Sequence, residues 1–129
     1  MKELRDLKRK IFDRLRETGQ SVYDTAVPRG AKPPFLRFYL TGMDFISSFQ
    51  SPHHFSRAGI TVEAVSAKEA STEAEELFAS AQEKLEGFSF ETEQGRYRLQ
   101  LSAVRKTHDS EAGLWYISGD FILHSARKA

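Results

Sequence analysis

The chain has 129 residues, of which 40% are hydrophobic and 29% charged, with 19 Lys+Arg against 18 Asp+Glu and no cysteine. That is one domain's worth of ordinary globular sequence, unlike a disordered, collagen-like or membrane-embedded chain, and a net charge of +1 argues against a surface devoted to neutralising many phosphates. The missing cysteines exclude disulfides and thiolate chemistry, no run approaches the roughly 18 apolar residues of a membrane span, and Met1-Lys2-Glu3-Leu4 is unlike a secretory leader, so a cytoplasmic protein is expected.

Leu4, Leu7, Ile11 and Leu15 recur at spacings of three and four, with Phe12 widening the stripe; this predicts an amphipathic helix over 2–18 that Gly19 ends. Val22-Tyr23-Asp24 reads as a short extended piece, and Pro28, Gly30, Pro33 and Pro34 mark a loop. Residues 35–41 are nearly all aromatic or aliphatic, which predicts a central strand covered on both faces. Over 42–58, Ser, Gln, Pro and His punctuate the sequence while Phe45, Ile46, Phe49 and Phe55 stand among them, the pattern of a long functional loop. Ile60, Val62 and Ala64 alternate with polar neighbours, predicting a strand over 59–67 that pairs with 35–41 as an extended hairpin.

Ser66 with Glu69, and Thr72 with Glu75, both fit capping-box spacing for a helix over 69–86. Its Ala74, Leu77, Phe78, Ala81 and Leu85 share one face, and Gly87 supplies the stop. Phe88 and Phe90 lie in a short connecting run. The last third reads as a hairpin over 96–124: Tyr97, Leu99 and Leu101 alternate with Arg96, Arg98 and Gln100, and a polar turn over 105–113 leads into a strand from Leu114. Gly119 within that strand predicts a bulge or a close backbone contact, and the tail 125–129 is expected to fray. The sum is a single α+β domain over 1–129, a mixed, mainly antiparallel sheet of about four to five strands with two helices packed on it, in the order α-β-β-β-α-β-β.

Charge is segregated along the chain. Residues 1–18 carry seven basic against four acidic side chains, whereas 69–86 carry six glutamates against Lys84. Opposite fields on one small body suit head-to-tail self-association, with Arg9, Arg14 and Arg16 set against Glu73 and Glu76; the alternative is two solvated helix faces. Phe45, Phe49, His53, His54 and Phe55 in the 42–58 loop are either tucked back onto the sheet or held out for a partner.

Catalytic and metal chemistry find little footing. His53 and His54 are adjacent and point apart, with no third ligand at helical or strand spacing, so no metal is expected. His108, Asp109 and Glu111 occupy a predicted turn, where Asp serves the backbone. There is no phosphate cradle and no nucleophile elbow, so neither an enzyme nor a cofactor is expected. Arg96-Tyr97-Arg98 interleaves bases with an aromatic, but strand geometry puts Tyr97 opposite both arginines and in phase with Leu99.

The element order, with the strand end Tyr39-Leu40-Thr41-Gly42 and the turn Ala112-Gly113-Leu114-Trp115, resembles the tail terminator proteins of long-tailed bacteriophages, the lambda type in particular. That resemblance implies a small α+β protomer forming a hexameric ring that caps the tail tube in the virion, ends tube growth and offers the head-joining surface. Its implied partners are further copies of itself, the tail tube protein and a head-completion or connector protein, with DNA only in transit and no membrane. It implies no catalytic residues and assembly in the host cytoplasm. Two other readings are a head–tail connector or other neck ring protein, and a nucleic-acid-binding module using the 1–18 helix with Arg96 and Arg98.

Overall fold

The computed structural model describes residues 2–45 and 55–127, with the side chains of Phe45, Phe55 and Arg127 left out of the description. Phe49, His53 and His54 lie outside the described residues. The elements are α1 (Lys2–Arg16), β1 (Val22–Asp24), β2 (Phe35–Phe45), β3 (Phe55–Ser66), α2 (Thr72–Leu85), β4 (Ser89–Glu91), β5 (Gly95–Asp109) and β6 (Leu114–Arg127). The strands form one sheet in the order β1-β2-β3-β6-β5-β4, in which β1 runs parallel to β2 and every other pairing is antiparallel.

The α+β class holds, with six strands instead of four or five. The additional strand is β4, the Phe88 and Phe90 run, held by the pairs Ser89↔Arg98, Phe90↔Tyr97 and Glu91↔Arg96. Both helices lie on one face, and each starts or stops slightly inside its predicted bounds. Gly19 and Gly87, at φ +81° and +73°, take the left-handed conformation that lets the chain leave a helix without a Cβ clash. Neither capping box forms as predicted. Ser71 precedes α2 and its hydroxyl reaches Glu75 Oε1 at 3.0 Å, while Ser66 Oγ donates to Glu73 Oε1 at 2.7 Å.

Leu7, Ile11 and Leu15 of α1 and Ala74, Leu77, Phe78, Ala81 and Leu85 of α2 bury their apolar stripes against the sheet. The sheet supplies Leu36 and Phe38, then Ala58, Ile60, Val62 and Ala64, then Ile117, Phe121 and Leu123, then Tyr97 and Leu99. Gly119 makes room for the Phe78 ring: a Cβ there would stand 2.3 Å from Phe78 Cζ. The predicted close contact at Gly119 is therefore to a side chain. The bulge lies on the neighbouring strand, where the register with β6 shifts between Leu101 and Ala103.

Three other expectations are corrected. β2 is not central and not covered on both faces: it lies next to the edge strand β1, and Arg37 and Tyr39 on its far side are half-buried. The loop predicted over 42–58 is strand at both ends, because β2 continues to Phe45 and β3 begins at Phe55, while 46–54 lie outside the described residues. Polar residues extend the strands there by pairing across them, with Arg57 Nη2 at 3.0 Å from Asp44 Oδ2, and a bulge at Thr41 sits over Gly59. The polar turn predicted over 105–113 shortens to the residues between Asp109 and Leu114 for the same reason, and β6 runs through Arg127 where fraying was expected.

Candidate assembly surface

Turning the apolar stripe of α1 inward leaves its basic residues on the β1 flank of the molecule. Arg5, Lys8, Arg9 and Arg16 line a groove floored by Phe12 and Phe38, with Asp13 and Asp24 in its wall. Lys8 Nζ lies 3.3 Å from Asp24 Oδ1, and the Arg16 guanidinium stands 5.7 Å from the centre of the Phe12 ring. Arg9 and Arg16 are exposed. Arg14 turns the other way, into the molecule. Its Nε donates to the Lys84 carbonyl at 2.8 Å, its Nη1 lies 3.3 Å from Glu17 Oε1, and its guanidinium covers the Phe88 ring at 4.8 Å. It clasps α1 to the end of α2.

Glutamates of α2 reach β5. Glu75 Oε1 meets Lys106 Nζ at 3.0 Å, and the Lys106 hydrogen bond, followed by that of Ser71, holds the Glu75 carboxyl below its ordinary value. Glu86 Oε2 accepts the Leu101 N–H at 2.6 Å. Glu76 and Glu83 are exposed, whereas Glu73 is half-buried against Ser66. Sequence segregation thus becomes two adjoining helices of opposite charge. Of the five charged residues picked from sequence, Arg9, Arg16 and Glu76 face solvent, while Arg14 and Glu73 are engaged inside the molecule.

The sheet face away from the helices carries a polar network. Arg37 Nη2 lies 2.7 Å from Glu63 Oε1, and its guanidinium covers the Tyr39 ring at 4.8 Å. Asp120 receives Arg105 through two hydrogen bonds and the Thr61 hydroxyl at 2.9 Å. The Arg105 hydrogen bond, aided by Thr61, holds the Asp120 carboxyl below the ordinary carboxylate range against the opposing effect of burial. Register explains the arrangement: Arg37, Glu63, Ser118 and Arg105 stand in one cross-strand row, and Tyr39, Thr61, Asp120 and Ala103 in the next.

The remaining candidates take structural roles. Asp109 Oδ1 accepts the N–H groups of Glu111 and Ala112, each at 3.1 Å, which fixes the β5–β6 turn. His108 stacks on Trp115 with ring centres 4.3 Å apart, and Trp115 Nε1 donates to the Glu69 carbonyl at 3.2 Å. Tyr97 is 2% exposed and its hydroxyl donates to Glu3, while Arg96 Nε pairs with Glu91 at 2.9 Å. That arrangement removes Tyr97 from any base-stacking role. Among the described residues no three His, Asp or Glu side chains converge as a metal site would require. The backbones of Phe45 and Phe55 face each other at the end of the β2–β3 hairpin.

Sequence reasoning missed Val104, which is 51% exposed on β5. Its neighbours Arg105, Lys106, Thr107, His108 and Asp109 are all polar, so no apolar period marked it as part of a strand.

No protein-family model matches the chain, and no curated protein matches it in sequence. In structure it is similar to a chain of the virion of a native gene transfer agent particle, with a TM-score of 0.67 at 14% identity. The likeness spans 89% of this chain and 90% of that one, so it covers most of the fold.

Proposed function

We propose that the chain is a structural protein of a phage-like virion that forms a closed ring, hexameric and of the tail terminator type, which ends the tail tube and joins it to the head. The observation that carries this reading is the fold shared, over most of the chain, with a component of a gene transfer agent virion. The exposed basic residues of α1 and the exposed glutamates of α2 support it, since a heterologous interface between opposite charges closes into a ring when its rotation divides a full turn. The ring works by shape and adhesion, and no reaction is assigned to it. Light scattering and native mass measurement test self-association: a hexamer is expected, and a monomer at all concentrations overturns the ring. Electron microscopy with purified tail tubes tests position. Density at tube ends is expected, whereas a ring that binds only the head side makes the protein a different neck component.

A further inference from the structure

Both long edges of the sheet are half covered, and the covers sit at opposite ends. β1 pairs with β2 along 22–24 and 36–38, and β4 pairs with β5 along 89–91 and 96–98. On the β5 side the cover is prolonged by Leu99 N–H bonding to the Phe88 carbonyl at 3.0 Å and by Glu86 on Leu101 N–H. Beyond these covers, 39–45 of β2 and 102–109 of β5 have no strand on their outer side among the described residues. From the shared row of Tyr39 and Ala103, the bare part of β2 runs toward one end of the sheet and the bare part of β5 toward the other. Each edge is therefore a step, and the two steps are complementary.

Unpaired backbone along an edge is a template for another strand. Because β2, β3, β6 and β5 alternate in direction, a rotation about an axis in the sheet plane brings β2 of one copy antiparallel to β5 of the next. A slide of about six residues, roughly 20 Å at about 3.3 Å per residue, superposes the bare segments and carries both covers clear. Met43 and Lys106 then stand opposite each other on the helix side, with Val104 diagonal to Met43, so Val104 gains an apolar neighbour.

The geometry points to residues 39–45 of one copy and 102–109 of the next pairing as antiparallel strands, so that the sheets of successive copies become continuous. This specifies the contact surface of the ring and rests on the ring reading. The chain contains no cysteine, so Met43→Cys/Lys106→Cys, the pair set opposite by that slide, can be oxidised without background thiols. A covalent ladder that collapses to monomer on reduction is expected from the double variant, and nothing beyond dimer from either single variant. Hydrogen exchange on the unaltered protein tests the contact whatever the register: outward amides in 39–45 and 102–109 slow at least about tenfold between dilute and assembled samples. Assembly with no slowing in those segments overturns the strand pairing and leaves the ring standing. A protein that never self-associates overturns both.

Discussion

At the scale of single residues, the tightest packing is that of Phe78 on Gly119. Gly119→Ala places a methyl 2.3 Å from Phe78 Cζ and 2.6 Å from Cε1 and is expected to cost about 1–3 kcal/mol, seen as a fall of several degrees in Tm. Adding Phe78→Leu shortens the obstacle, so the double variant loses less than the sum of the singles. Tyr97 is a second such point. Burial first, and then its hydrogen bond to Glu3, pushes its phenol up to about 12 from an ordinary 10.0. The unfolded chain therefore loses this proton before the folded one does. The stability this group contributes is fully present below about pH 10 and declines as pH rises from about 10 toward 12. Tyr97→Phe costs about 1 kcal/mol at neutral pH and flattens that alkaline decline, which urea titrations across the interval measure.

At the scale of elements, the β5–β6 hairpin shows what pattern can and cannot reveal. The helices were legible because their apolar stripes repeat over several turns, and the β2–β3 pairing because the Ile60, Val62 and Ala64 alternation matches Leu36 and Phe38 across it. The outer half of β5 was not, since Arg105, Lys106 and His108 are strand residues only by virtue of Asp120, Glu75 and Trp115, which come from other elements. β4 was equally hard to read: three residues carry no period, and its pairing is fixed by Phe90 stacking on Tyr97 with ring centres 5.3 Å apart. The charged helices were visible in composition, yet the inward turn of Arg14 depends on the Lys84 carbonyl, 70 residues away. Arg105 and Asp120 offer a direct test of such remote support. In Arg105→Met the Asp120 carboxyl should titrate higher, toward its ordinary value, as followed by NMR. The Asp120 contribution to stability is present above the ordinary carboxylate pKa and disappears as pH falls through the depressed one, so this acid limb shrinks in the variant.

At the scale of the whole molecule, the two charged helices lead to a prediction about assembly. Arg9→Glu/Arg16→Glu should weaken self-association about tenfold, the scale of two exposed pairs made repulsive, while leaving the monomer folded. Added salt should weaken the unaltered protein in the same direction, and sedimentation at several ionic strengths measures both effects. A ring built with the bulky helices on the wider circumference would turn the polar sheet face toward the bore. Its Arg37 and Arg105 are each paired with an acid on a neighbouring strand, Glu63 and Asp120, so at this part of the wall a threading polyanion would meet paired charges and the Thr61 hydroxyl. A wall of that kind would guide without gripping, through charge pairing across four strands.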